Sequence, residues 1–300
     1  MADGSRSGGV PVGLFVGLCT LDVVQLVDHA PAPDEKLTAR EQLVVAGGPA
    51  ANAAATFRHL GGRARLLTAI GSHPLGLAAA ADLHRLGVRV SDLAAESTEP
   101  PAVSSILVTA STGERAVAST NATAHRLDPP GDLATVVAAC DIVEVDGHHR
   151  ELALAAARTA RALDRPTVLD AGSWKDGTED LLPSIDVAVC SADFHPPGVN
   201  TPTATLRFLR EHGVAWAAVS RGGGPIVWAG PDGGGTVDVP QVEVRDTLGA
   251  GDVLHGALTH RLALHGTLTS EGFAEALRAA AEVASRACTS FGTRAWMQGG

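Results

Sequence analysis

The 300-residue chain reads as a three-layer α/β/α fold with a mostly parallel central sheet and a small second β-sheet, and three observations predict it. From residue 135 onward, short apolar runs alternate with helix-length segments, the pattern of parallel strands covered on both faces by helices. The hydrophobic content, 45% of residues, is carried by Ala, Val and Leu rather than by aromatics (Phe 6, Trp 4, Tyr 0), which suits helices packed on buried strands. Two stretches, near 22–46 and 100–122, mix polar and apolar residues around turn signals and do not fit that core; they read as one small sheet added to its edge.

Taken in order, residues 12–18 are a short apolar run and a buried strand. Residues 23–27 and 36–45 flank the turn Ala30-Pro31-Ala32-Pro33-Asp34 and read as a strand pair. The alanine-rich segment 50–60 is a helix ending at Gly61-Gly62, 64–70 is a strand, and 75–86 is a helix stopped by Gly87. Segments 103–109 and 115–119, joined by Ser111-Thr112-Gly113-Glu114, form a hairpin. Strands follow at 141–145, 167–170, 187–190 and 215–220, interleaved with helices at 151–163 and 203–212. Segments 227–229 and 236–239 pair around Pro231-Asp232-Gly233, and helices 250–265 and 271–289 close the chain. No internal repeat or low-complexity linker divides it, and Met1–Gly9 reads as a frayed tail.

Acidic residues outnumber basic ones 33 to 23, a formal charge of -10, which excludes a general nucleic-acid binder. Cys19, Cys140, Cys190 and Cys288 show no C-x-x-C or metal-like spacing and read as buried thiols of a reducing cytosol. The apolar stretch 14–27 is split by Asp22, and no run approaches eighteen apolar residues, so neither a signal peptide nor a membrane span is expected. The expectation is a cytoplasmic protein.

The lysines narrow the chemistry. There are two, Lys36 after Glu35 and Lys175 after Trp174, and neither follows glycine, so a P-loop is excluded. G-x-G-x-x-G after a strand, H-E-x-x-H and G-x-S-x-G are absent as well. What remains is Asp246-Thr247-Leu248-Gly249-Ala250-Gly251-Asp252, leading into the helical run 253–258. Small residues before a helix let backbone N–H groups converge on one point, and with the positive helix end they make an anion hole that needs no lysine. Asp252 has two readings: a carboxylate stabilising the start of its own helix, or a base that takes a proton from a hydroxyl attacking a phosphoryl group held in that hole. The second string is Gly47-Gly48-Pro49-Ala50-Ala51-Asn52. Its paired glycines allow close backbone approach to a ligand. Asn52 in the following first turn either faces a polyol or is a solvated helical asparagine.

With both strings in place, and in this order, the chain resembles the ribokinase-like (PfkB) family of carbohydrate kinases over roughly 12–297. Its GGPAANAAA (47–55) and DTLGAGDVLHGA (246–257) are similar to that family's two signatures, most of all to those of ketohexokinases and sulfofructose kinases. The segment 17–23 resembles the family's first strand and its sugar-binding aspartate, and Gly87-Val88 its loop after the second helix. The resemblance implies ATP-dependent phosphorylation of a hydroxyl on a small sugar, a ketose or related polyol. Asp252 would be the base, with Gly249, Ala250 and Gly251 as the anion hole. Asp22, Gly47, Gly48 and Asn52 would hold the sugar. Val219-Ser220-Arg221-Gly222 resembles the strand end that contacts nucleotide, so Ser220, Arg221, Gly222, Thr247, Gly249 and Gly251 would bind ATP. Mg²⁺ is implied, and a monovalent cation such as K⁺ near Asp246 and 288–292. One domain, 1–300, would carry a lid formed by about 22–46 and 100–122 that also joins a homodimer.

The chain departs from the family at four places. N-x-x-E, tied to magnesium, appears as Ser191-Ala192-Asp193-Phe194, leaving Asp193, or Asp170, to take its part. A glycine of the nucleotide loop is Pro225, an asparagine of ketohexokinases is Pro49, and the arginine of sulfofructose kinases is replaced at Gly147 or His148. Lys36 matches a sulfonate-binding lysine of those enzymes, or is a surface lysine lying along apolar surface. His148 faces the sugar, or belongs to a polar loop opening a helix; Trp174 and Lys175 contact phosphate, or lie in a surface loop. The alternatives are a nucleoside kinase of the same family, a sulfo-sugar kinase, or a non-catalytic sugar sensor. Segments 22–46 and 103–119 hold no aromatic residue to stack on a base.

Overall fold

The structure is a computed structural model describing residues 9–121, 127–265 and 268–298; the expected frayed residues 1–8 and position 122 of the second small-sheet segment lie outside the described residues. Along the first half the elements are β1 (Val12–Val16), β2 (Thr20–Val27), β3 (Glu41–Gly47), α1 (Pro49–His59), β4 (Arg63–Thr68), α2 (Pro74–Arg85), β5 (Arg89–Asp92), β6 (Val103–Thr109), β7 (Arg115–Ser119) and α3 (Leu133–Ala138). The second half gives β8 (Ile142–Val145), α4 (Arg150–Ala162), β9 (Thr167–Ala171), α5 (Thr178–Leu181), β10 (Val187–Cys190), α6 (Pro202–Glu211) and β11 (Trp216–Arg221). It ends with β12 (Gly224–Gly230), β13 (Gly233–Val237), α7 (Ala250–Leu264) and α8 (Ser270–Ala287).

Among the described residues nine strands form one sheet in the order β13-β12-β11-β10-β9-β8-β1-β4-β5. From β11 to β5 every neighbouring pair is parallel, and β12 and β13 add an antiparallel edge. The period-2 alternation of β1 shows how the layers form. Phe15 enters a core shared with α1, α2, α7 and α8, whereas Leu14 and Val16 enter the opposite core with α3, α4, α5 and α6. Each buried Leu or Phe contributes about 1.5–3 kcal/mol, so the two cores fix the three layers. The small sheet has the order β3-β2-β6-β7; each hairpin is antiparallel and the two meet through a parallel β2–β6 pairing. Its hairpin β2–β3 follows the central strand β1 and its hairpin β6–β7 follows the edge strand β5, and it packs Val24, Leu26, Ile106 and Val108 onto Phe291.

Candidate active site

The large sheet has a topological switch at β1: the chain goes outward to β4 and β5 on one side and to β8, β9, β10 and β11 on the other. In such sheets ligands bind outside the carboxyl strand ends at the switch. Here one buried carboxylate ties the loops of that crevice together. Asp146, just after β8, accepts hydrogen bonds from the backbone N–H of Leu18 (2.8 Å) and Ala50 (3.2 Å) through Oδ2, and of His148 (2.9 Å) through Oδ1. Gly17 leaves room for it, since a Cβ there would lie 2.0 Å from Asp146 Oδ1.

The two paired glycines open the crevice from the other side. Gly48 caps α1 at φ 92°, and a Cβ there would lie 2.5 Å from the Leu18 carbonyl oxygen, so only glycine suits the position. Gly47 faces Asp22, whose Oδ2 would be 1.9 Å from an added Cβ. Asp22 shares the inward face of β2 with Val24 and Leu26; Thr20 donates to its Oδ1. Burial raises the Asp22 pKa, while the Thr20 and Ser104 hydroxyls and the Arg294 charge draw it back. Asn52, buried in the first turn of α1, donates from Nδ2 to Asp252 Oδ2 at 2.6 Å and accepts from Arg294 Nη2 at 2.7 Å. Both ends of its amide are therefore held by protein, and its position, more than a free donor, is what it brings to the crevice.

Helix α7 begins at Gly249, φ 69°, where a Cβ would lie 3.5 Å from both Asn52 Nδ2 and Asp252 Oδ2. The Ala250 N–H turns back to the Thr247 carbonyl at 3.3 Å, and Val253 bonds Gly249; among the described residues the N–H groups of Gly251 and Asp252 meet no protein acceptor. The Gly249 N–H meets none either, so within the expected Gly249–Gly251 set the Ala250 amide is engaged while the other two are open, and the Asp252 amide adds to them. Gly251 and Thr247 line a cavity of about 360 Å³ together with Ser191, Asp193, Ser220 and Gly222. Arg115 of β7 lines it too and donates to Thr247 Oγ1 at 2.7 Å, linking the small sheet to this loop. Arg221 does not line it; its side chain is spent on the Pro225 carbonyl at 3.1 Å.

Behind Asp252 lies a buried cluster. His255 Nδ1 meets the Gly251 carbonyl at 2.7 Å and Nε2 the Val189 carbonyl at 3.0 Å, with Asp170 Oδ2 3.4 Å from Nδ1. Two carbonyl acceptors are both satisfied only if both ring nitrogens carry hydrogen, so His255 is an imidazolium. Burial opposes that charge, but Asp170, Glu144 and the two carbonyls outweigh it and raise its pKa. Thr259 donates to Glu144 Oε2, while Oε1 has no partner; burial lifts the Glu144 pKa to about 8 despite the His255 charge. Asp252 itself is pushed up to about 7, first by burial and then by Asp170, with the Asn52 hydrogen bond and His255 pulling the other way and Asp22 adding to the rise.

Other expected residues fall elsewhere. Lys36 is exposed in the connection between β2 and β3 and makes no hydrogen bond or ion pair among the described residues. His148 sits in the crevice loop with its pKa lowered, chiefly by burial. Lys175 does reach the crevice: its Nζ donates to the Asp146 carbonyl at 3.5 Å, and its charge acts on Asp170. Asp246 accepts from Leu248 N–H and Gly292 N–H, each at 2.8 Å, one on each oxygen, which makes it a staple between two loops. Asp146, Arg115 and Arg294 carry no motif of their own, and His255, though inside the string 246–257, is not singled out by it. Their partners stand up to 242 positions away, as for Arg294 and Asn52.

The profile of the pfkB family carbohydrate kinases matches residues 14–298. A chain from Agrobacterium tumefaciens proposed to be a ribokinase is 26% identical with a TM-score of 0.82, covering 96% of this chain and 94% of that one. Ribokinase from Giardia lamblia has a TM-score of 0.84 at 18% identity, with 96% of each chain covered. Adenosine kinase from Sinorhizobium meliloti has a TM-score of 0.77 at 20% identity, with 95% of each covered. The last two show the shared fold, which serves sugar and nucleoside acceptors alike.

Proposed function

This chain belongs to the pfkB family of carbohydrate kinases, phosphotransferases acting on sugar hydroxyls, and from that premise we propose that it transfers the γ-phosphoryl group of ATP to a hydroxyl of a small ketose or related polyol. The observation that carries the reading is Asp252, a carboxylate with a pKa of about 7 at the start of α7, beside the open amides of Gly249 and Gly251, of which Gly251 lines the 360 Å³ cavity. A base near neutrality is suited to accept a hydroxyl proton. The acceptor oxygen bonds to the γ-phosphorus, the bond to the β-phosphate oxygen breaks, and the proton passes to Asp252. The Gly249, Gly251 and Asp252 N–H groups then stabilise the charge on the transferring group.

Ser220, Gly222 and Thr247 would line the nucleotide, with Arg115 and Lys175 as cationic contacts to phosphate. Asp22 and the backbone at Gly47 and Gly48 would hold the sugar. Among the described residues no three His, Cys, Asp or Glu side chains converge to hold a metal. Mg²⁺ commonly takes one or two carboxylates and completes its shell with phosphates and water, so Asp193 on the cavity wall fits a nucleotide-borne Mg²⁺, which would neutralise phosphate charge. The small sheet is read as a lid whose closure excludes water, the competing acceptor. Its outer face, with Val44 half exposed, is the contact we assign to a homodimer. No helix among the described residues is long and apolar enough to cross a membrane, in keeping with a cytoplasmic enzyme.

The test is ADP release against ketoses, aldoses, sulfo-sugars, cyclitols and nucleosides. Asp252→Asn is expected to cut turnover with the best acceptor by at least 10³-fold while ATP still binds; a loss of only a few-fold would remove Asp252 as the base. Nucleoside turnover would instead favour the adenosine-kinase-like alternative, and ATP binding without turnover of any acceptor a sensor.

A further inference from the structure

A second cavity, of about 320 Å³, is lined by Arg58, His59, Arg85 and Arg294 together with Ala55, Leu86, Met297 and Gln298, and its Arg294 is bonded to Asn52. A chain of net charge -10 thus gathers three guanidinium groups around one hollow whose lining includes no Asp or Glu. Arg58 and His59 in the last turn of α1, and Arg85 in the last turn of α2, also answer the negative ends of those helices, which accounts for each of them singly. Asp82 pairs with Arg85 at 2.7 Å, whereas Arg58 has no ion-pair partner among the described residues.

Arg294 is not explained in that way. It is 7% exposed, yet its Nε–H has no partner. Its Nη2 donates to Asn52 Oδ1 at 2.7 Å and to the Ala46 carbonyl at 3.0 Å, and no carboxylate bonds it, although the charges of Asp82, Asp252 and Asp22 act on it. A buried guanidinium with an unmet donor beside two further arginines suits an anion with several oxygens.

We propose that this cavity binds a small phosphate-bearing anion, and that Arg294 carries its occupancy through Asn52 to Asp252. The path is two hydrogen bonds long, 2.7 Å and 2.6 Å, and ends on the carboxylate assigned as base. An anion at Arg294 offsets the positive charge that helps Asp252 stay ionised, so the acid limb of kcat/KM moves to higher pH. The binding half stands by itself; the coupling half rests on the reading of Asp252 as base.

Calorimetric titration of the full chain with inorganic phosphate, at constant ionic strength and with a non-hydrolysable ATP analogue saturating the nucleotide cavity, tests the first half. One saturable site is expected, weakened at least tenfold in Arg58→Gln/Arg85→Gln, with analogue affinity unchanged. Absent saturable binding, or equal binding by the variant, overturns the site. Glycerol 3-phosphate in place of phosphate separates an esterified ligand from the free ion, the tighter of the two naming the source. For the second half, phosphate should raise the acid limb by about half a pH unit or more in the wild type and not in the double variant. Binding with an unmoved limb overturns the coupling while leaving both the site and the kinase reading in place.

Discussion

Asp252 owes its character to neighbours that no local pattern reveals. The string 246–252 marks it as the candidate base because glycines and a carboxylate at fixed offsets are a contiguous signal. Its protonation, however, is set by Asn52, Asp170 and His255, which three separate elements bring together. The His255 cation lowers the Asp252 pKa, so His255→Gln should move the acid limb of kcat/KM above the wild-type position near 7. The same change leaves Asp170 without its cation and should lower stability to urea by about 3 kcal/mol. The raised His255 pKa means that this contribution is complete below the unfolded value near 6.5 and fades as pH rises through the folded one, so the deficit should be larger at pH 6 than at pH 9. A pH–rate profile that does not move would reduce His255 to a packing role. A Gln in its place carries its donors on one nitrogen where His255 has them on two at opposite sides of the ring, which is why geometry, too, predicts a cost.

At the scale of elements, what was legible followed from pattern strength. Segments with a clear apolar run or hairpin turn match closely, β6, β7 and β10 to the residue. The missed strand β5 has the sequence RVSD, four residues at the sheet edge with one apolar side chain; α3 has six residues and α5 four, too short to show a helical period. Strand β3 starts at Glu41 rather than 36, because Asp34 at φ 63° and the prolines before it hold the connection away from β2 longer than its alternation suggests. The pairing of α1 with α7, which joins Asn52 to Asp252, was written in the alanines of one and a glycine of the other. A Cβ at Gly256 would lie 2.4 Å from the Ala53 carbonyl oxygen, a contact that backbone cannot relieve without separating the helices. Gly256→Ala should therefore lower stability by about 1–3 kcal/mol, as overpacking does, and reduce kcat/KM by at least tenfold with the nucleotide affinity retained. Denaturant unfolding and steady-state kinetics read the two effects together; loss of stability with unchanged kcat/KM would show that Asn52 and Asp252 do not depend on this helix contact.

For the whole molecule, the net charge of -10 conceals where charge has been taken inside. Composition excluded a broad polyanion-binding surface, and the arginines of the second cavity became visible only when α1, α2 and the C-terminal segment were placed side by side. Glu144, Asp252 and His255, like Asp22, Asp170 and Asp246, hold protons more tightly in the folded chain than in the unfolded one. Stability from such groups is present at low pH and lost as pH rises toward their folded values. Below about pH 6.5 the effect is offset by His59, His148 and His260, whose pKa values are lowered in the fold, mainly by burial. Above neutrality those three are neutral in both states and no longer contribute. Glu144, with its pKa of about 8, and His255 then release protons only at the cost of the fold. The unliganded protein should accordingly lose stability between pH 7 and pH 9, by about 1.4 kcal/mol per pH unit for each group still protonated, and growing self-repulsion of an acidic chain acts in the same direction. Thermal unfolding at constant ionic strength checks this: Tm should fall across that window, and Glu144→Gln, neutral at every pH, should flatten the decline. A Tm that holds steady to pH 9 in the wild type would mean that the buried cluster is already ionised at neutrality, and the assignment of Glu144 as a protonated acid behind the site would have to be given up.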